Sequence, residues 1–174
     1  MKRITSALCI AVAATAWIAS TGTAQAQTYP SKPIRVVVPY AAGGFSDISS
    51  RLVGNAISRV LEQQLVIEPR PGGGGRVGAD AIAKAAPDGY QILFTTNGTH
   101  TYMQITEKAL SYDPIKDFTP IALVVTSWTV FAVNPKVPAN TLPELVAYSK
   151  THPVRYGSGG IGGVLHIAGE MLRL

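Results

Sequence analysis

Five consecutive residues set the first limit on the fold. Ile34-Arg35-Val36-Val37-Val38 holds four β-branched aliphatics and is closed by Pro39. Such side chains are stiff at χ1 and suit the pleated surface of a strand. Apolar residues on successive positions predict a strand buried on both faces, the habit of a parallel sheet. After a glycine-bearing loop come Ile48, Leu52, Val53, Ala56, Ile57, Val60 and Leu61, with Arg51, Asn55, Ser58, Arg59 and Glu62 between them. That spacing predicts an amphipathic helix.

The alternation continues. Leu65-Val66-Ile67-Glu68 is a second short strand, and Pro69-Arg70-Pro71-Gly72-Gly73-Gly74-Gly75 breaks regular structure. Val77 to Ala85 is an Ala-rich helix stopped by Pro87-Asp88-Gly89, and Tyr90 to Thr95 is a third strand. Ile121 to Thr126, Trp128 to Val133 and Val154 to Tyr156 read as further strands. Thr141-Leu142-Pro143-Glu144 is a capping box, so a helix is expected from Leu142 to Lys150. Another helix is expected from Val164 to Leu174. Strand-then-helix order with apolar strands predicts an α/β protein with a mostly parallel sheet. The last helix carries Leu165, Ala168 and Leu172 still in phase at its end, without a C-cap, which reads as a chain cut short.

Composition narrows the function classes. Of 174 residues 47% are hydrophobic and 14% charged, which excludes a disordered chain. The single Cys excludes a disulfide scaffold. The net charge of +5 is dispersed rather than clustered, so it suits small anions and not nucleic acid. Lys2 and Arg3, the uncharged run Ile4 to Ser20, and Ala24-Gln25-Ala26 have the grammar of a secretory signal peptide. Cleavage is expected after Ala26, with a periplasmic product, and removes Cys9.

Three loops that follow strands carry the candidate chemistry, because ligands of α/β sheets bind beyond the carboxyl ends of strands. The first is Tyr40-Ala41-Ala42-Gly43-Gly44-Phe45-Ser46-Asp47, with Ser46 or Asp47 suited to cap the next helix. Its glycines let a ligand approach the backbone, and free N–H groups at the helix start favour an anion. The second is Thr96-Asn97-Gly98-Thr99-His100, and the third is Ser158-Gly159-Gly160-Ile161-Gly162-Gly163 after Gly157. Each alone is equally an ordinary glycine turn; three after three strands favour a site. His100 and His166 are donors to a bound carboxylate or braces of a loop. His152, before Pro153, reads as exposed.

The third loop also fits G-x-G-x-x-G, but its strand is late and the acidic residue expected downstream would fall beyond Leu174. No P-loop, G-x-S-x-G elbow or H-E-x-x-H is present, and no third ligand completes a metal site. No catalytic residue, cofactor or metal is therefore expected. The alternatives are an exported α/β hydrolase-like enzyme, with Ser46 and Ser158 as candidate nucleophiles, and a non-functional receptor remnant.

A collinear series of short motifs resembles the Bug family. It comprises Thr28-Tyr29-Pro30-Ser31-Lys32-Pro33-Ile34-Arg35, Val38-Pro39-Tyr40-x-x-Gly43-Gly44-x-x-Asp47, and Glu68-Pro69-Arg70-Pro71-Gly72. It continues through Gly78-Ala79-Asp80, Ala83-Lys84-Ala85-x-Pro87-Asp88-Gly89-Tyr90, Asp113-Pro114-x-Lys116-Asp117-Phe118-x-Pro120 and Tyr156-Gly157-Ser158. These proteins are the extracytoplasmic solute receptors of tripartite tricarboxylate transporters. The resemblance implies a periplasmic binding protein-like fold of type II, two-lobed, with mostly parallel sheets, and incomplete here. It implies capture of a small carboxylate by the three loops, beside which His166 is a candidate donor, and a membrane-embedded transporter complex as partner. It divides the chain into a signal peptide (1–26), the N-terminal part of a first lobe (27–127), and a crossing strand with the start of a second lobe (128–174). Pro69 stands where the family commonly has Asn, and Gly72 to Gly75 is richer in glycine than usual. Both departures are expected to bear on lobe packing rather than binding. A Gly44→Val substitution is expected to abolish binding, by intruding on the ligand and demanding a disallowed φ.

Overall fold

The computed structural model describes residues 28–173. The segment expected to be a signal peptide, 1–26, lies outside them. Of the compact unit Met1–Ser31, residues 28–31 are described and carry a cis Tyr29–Pro30 bond. All that follows concerns the second unit, Lys32–Leu174.

Three parallel strands form the sheet: β1 (Ile34–Val38), β2 (Leu65–Pro69) and β3 (Gln91–Leu93), in spatial order β2-β1-β3. Ile34 aligns with Leu65 and Val38 with Pro69 on one side of β1, and Arg35 aligns with Gln91 on the other. Backbone bonds from Arg35 N to the Tyr90 carbonyl and from Phe94 N to the Val37 carbonyl, both 2.9 Å, extend the β3 pairing to Tyr90 and Phe94, one residue short of the expected end at Thr95. The central strand is the aliphatic run, and Ile34, Val36, Val37 and Val38 are all buried. Arg35 points out of this core and meets Glu68 of the edge strand at 3.0 Å.

Helix α1 (Phe45–Leu61) connects β1 to β2, and α2 (Arg76–Ala83) connects β2 to β3. The face α1 buries is not its apolar one. Ser46, Asp47, Ser50 and Gly54 are buried, while Ile48, Leu52 and Val60 are exposed. Glycine is what brings this face close: a Cβ on Gly54 would stand 3.2 Å from the Ile67 Cδ1. The serines there are satisfied locally. Ser50 donates to the Asp47 carbonyl at 2.9 Å, and Ser58 donates to the Gly54 carbonyl at 2.7 Å while accepting the Leu65 N–H at 3.0 Å. A hydroxyl with its bonds made costs little to bury. The helix also begins earlier than expected, with Gly44 rather than Ser46 or Asp47 at its N-cap.

After β3 the chain makes a wide helical turn, Gly98–Tyr102, that runs into the short α3 (Met103–Thr106). Helix α4 (Leu142–Ser149) has the expected cap: Thr141 Oγ1 accepts the Glu144 N–H at 3.4 Å, and Glu144 accepts the Asn140 N–H at 2.7 Å. Helix α5 (Val164–Arg173) ends the described chain.

The strands expected at Ile121–Thr126, Trp128–Val133 and Val154–Tyr156 are not formed. These segments have no regular structure, and Ile121, Leu123, Trp128, Val130 and Val154 are exposed. A strand exists only as a hydrogen-bonded ladder, and no described strand lies beside these segments to complete one. Propensity without a partner leaves extended, unpaired chain.

Candidate functional site

The sheet order places the site. From β1 the chain turns to β2 on one side, and later crosses to β3 on the other. At such a reversal the loops leaving the two strands diverge and open a crevice beyond their carboxyl ends. The loops after β1 and β3 are the first and second candidate loops.

A cavity of about 320 Å³ opens there, lined by Pro39, Tyr40 and Ala41, by Pro71 to Gly75, and by Gly159, Gly160 and Ile161. The first and third loops thus meet at one cleft. Between them stands the Gly72–Gly75 turn, expected to bear on lobe packing, which here also lines the cleft. All four of these glycines have positive φ, between 53° and 139°. A Cβ on Gly74 would come within 2.5 Å of the Ile161 carbonyl oxygen, and one on Gly75 within 2.7 Å of the Thr99 Cγ2. Only glycine lets the turn pass this close to both neighbours. The signal was visible in the sequence as four consecutive glycines, but its place at the cleft depends on a fold contact that spacing does not reveal.

The remaining residues of the first loop build the helix start. Asp47 Oδ2 accepts the Gly43 N–H at 2.9 Å, and Oδ1 receives Arg51 at 2.9 to 3.0 Å. The Arg51 hydrogen bond, with the Gly43 N–H, holds the Asp47 carboxyl below its ordinary range. The Gly44 N–H is bonded to the Ala41 carbonyl at 3.3 Å. The N–H groups of Gly43 and Gly44 are therefore spent inside the loop, and Asp47 supplies the negative charge that a helix N-terminus favours. Ser46 is buried, Phe45 is half exposed, and Ala42 is at the surface.

The second loop lies behind the cleft wall rather than on it. Gly98 and Thr99 are buried. Tyr40 Oη meets Thr96 Oγ1 at 2.6 Å and Thr95 Oγ1 at 3.5 Å. Thr99 Oγ1 meets Thr95 Oγ1 and His100 Nδ1, both at 2.8 Å. The Gly98 N–H donates to Thr96 Oγ1 at 3.2 Å, and Asn97 precedes this turn as its N-cap. His100 packs edge-on to Phe118 at 4.7 Å, and burial lowers its pKa, which favours the neutral ring. His100 thus braces the loop.

In the third loop the Gly160 N–H faces Ser158 Oγ at 3.5 Å, and the Gly162 N–H donates to His166 Nδ1 at 3.4 Å. The Gly163 N–H donates to the Gly160 carbonyl at 3.3 Å. His166 closes the start of α5, with the Tyr156 ring 6.4 Å away. Among the described residues no group of three His, Cys, Asp or Glu side chains could hold a metal ion.

Comparison with known proteins agrees with this architecture. Residues 49–174 match the model of the tripartite tricarboxylate transporter family receptor. A UPF0065 protein of Bordetella bronchiseptica is 40% identical over 149 residues, covering 86% of this chain and 44% of the relative. The solved structure of the periplasmic binding protein BugD superposes with TM-score 0.70 at 32% identity, covering 83% of this chain and 48% of that one. MatC from Rhodopseudomonas palustris with bound malate superposes with TM-score 0.73 at 29% identity, covering 84% of this chain and 52% of that one. The chain spans about half the length of these proteins.

Proposed function

The chain belongs to the tripartite tricarboxylate transporter receptor family, and on that premise we propose that it serves to capture a small carboxylate in the cleft at the β1/β3 reversal. The observation that carries the reading is the cleft itself: Tyr40 and Ala41 on one side, Gly159 to Ile161 on another, and backbone-rich glycine between them. Glycine walls bring the main chain to the surface of the cleft with no side chain in the way, the setting in which backbone N–H groups recognise anions. MatC, the relative with malate bound, points to the same ligand class. A micromolar complex corresponds to about 8 kcal/mol, towards which each charge-assisted hydrogen bond to the carboxylate contributes about 1.5–3 kcal/mol.

In this reading the candidate residues divide by role. Tyr40, Ala41, Gly159, Gly160 and Ile161 face the ligand with Gly72 to Gly75. Ala42 to Asp47, Thr96 to His100, Ser158, Gly162, Gly163 and His166 hold those walls in place. Residues 1–26 direct export to the periplasm, 27–127 form the first lobe, and 128–174 begin the second. A membrane-embedded tripartite transporter receives the cargo. The hydrolase alternative gains nothing from the geometry, since Ser46 is buried at the start of α1 and Ser158 Oγ faces a backbone N–H.

Two measurements test the proposal. Mass spectrometry of the periplasmic protein should give a start at Gln27, and an intact Met1 start on a membrane species contradicts the export reading. Calorimetric titration with malate should give micromolar binding, and its dimethyl ester should give none. Equal binding of acid and ester contradicts the carboxylate reading.

A further inference from the structure

Tyr112 lies in the stretch before the Asp113–Phe118 turn, outside all three candidate loops. It is nonetheless 6% exposed, with its hydroxyl donating to the Thr99 carbonyl at 2.8 Å and touching the Met103 sulfur at 3.5 Å. Its ring meets Phe118 edge-on at 5.6 Å, and Phe118 in turn meets His100. Asp113 and Asp117 tie off the turn that delivers Phe118: Asp113 Oδ1 accepts the Ile115 and Lys116 N–H groups at 3.0 Å, and Asp117 Oδ2 accepts the Asp113 N–H at 2.7 Å.

From Thr99 the hydrogen bonds run on to the cleft. The Thr99 hydroxyl meets Thr95, and Thr95 and Thr96 meet the hydroxyl of Tyr40, a residue that lines the cavity. Gly75 sits against both ends of this chain, since a Cβ there would meet Thr99 at 2.7 Å and the Tyr40 ring at 3.3 Å. Hydroxyl groups linked this way orient one another, and a buried link left unmade is costly.

We propose that Tyr112 is a positioning residue of the cleft: its buried hydroxyl fixes Thr99, and Thr99 through Thr95 and Thr96 fixes the orientation of the Tyr40 ring. Burial pushes the Tyr112 phenol up to about 12, so it remains a donor throughout the physiological range. The affinity part of the test rests on the carboxylate reading; the spectroscopic part does not.

The test uses Tyr112→Phe, which removes one oxygen and keeps the ring against Phe118 and Met103. The readout is the ring ¹H–¹³C signal of Tyr40 in the full chain, identified by its loss in Tyr40→Phe. Tyr112→Phe should shift that signal and weaken malate binding roughly three- to tenfold, the equivalent of one hydrogen bond. Thr99→Val should produce the same shift with Tyr112 intact, and Thr99→Ser, which keeps the hydroxyl, should restore the parental signal. A lowered melting temperature with an unmoved Tyr40 signal would make Tyr112 a packing residue and overturn the proposal. If the parent fails to bind malate, the carboxylate reading falls, and the Tyr40 signal alone decides the relay.

Discussion

The strand Ile34–Val38 and the segment 121–133 are built from the same residue types and meet opposite fates. In the first, Val37 and Val38 are fully buried between two hydrogen-bonded neighbours. In the second, Leu123 is 84% and Trp128 95% exposed. What separates them is the presence of a partner for the backbone, not hydrophobicity. Apolar side chains are held inside when a ladder first brings a second layer over them. Stability in this chain should therefore concentrate in the sheet and the loops that leave it.

The widest gap should appear on truncating matched aliphatics. Ile34→Ala removes a buried side chain and should cost about 2–5 kcal/mol, whereas Leu123→Ala should stay within about 0.5 kcal/mol of the parent. Urea titration of both variants checks this, and equal losses would erase the contrast between the two regions.

Gly78 tests how closely α2 sits on the sheet end. A Cβ there would stand 2.8 Å from the Pro39 Cβ and 3.0 Å from the Arg70 carbonyl oxygen. Since Pro39 and Arg70 are held by the strand ends, Gly78→Ala should cost about 1–3 kcal/mol. Thermal denaturation gives the value, and an unchanged midpoint would show that α2 can slide.

A smaller difference separates neighbouring glycines of the first loop. Gly43 has φ +79°, with nothing within 4 Å of a Cβ. Gly44 has φ −77°, which any residue adopts, and its Cβ would stand 3.3 Å from the Ala41 oxygen. The backbone strain expected of Gly44→Val therefore belongs to Gly43. Gly43→Ala should cost about 1–2 kcal/mol through its left-handed backbone, and Gly44→Ala less. Urea midpoints of the two variants decide the order.

The subtlest effect is one of pH. The Tyr112 phenol rises to about 12, first through burial, with smaller pushes from Tyr40 and Asp80. Unfolded, it titrates near about 10. The folded chain holds the proton more tightly, so this stabilisation is complete below about pH 10 and is lost as pH climbs through about 12. Tyr112→Phe should flatten that decline in urea midpoint; an equally steep decline would assign it to another group.

The parts of the molecule that were legible in the sequence are those decided locally. The aliphatic run of β1, the Thr141–Glu144 cap and the order of strand and helix from β1 to β3 follow from neighbouring residues alone. The packed face of α1 does not. Periodicity marks Ile48, Leu52 and Val60, while contact distance selects Gly54 and the serines, and only the assembled sheet reveals that choice. The strands expected between 121 and 133 failed for the same reason, because pairing is a long-range event. At the cleft, Tyr40 and Ala41 could be chosen as residues that follow a strand, whereas Gly159 to Ile161 were chosen as following Val154–Tyr156, which forms none. Gly72 to Gly75 could not, because glycines without side chains announce flexibility but not a neighbour.

The central claim is that the cleft between Ala41, the glycine turn and Ile161 takes the carboxylate. Ala41 lines that cleft from the surface of the loop, so Ala41→Phe fills the cavity without entering the core. Calorimetric titration with malate, beside a melting curve, tests the claim directly. The account predicts that the variant melts like the parent and loses binding by at least about a hundredfold, about 2.7 kcal/mol. An Ala41→Phe protein that binds malate as tightly as the parent would contradict it and move the site elsewhere.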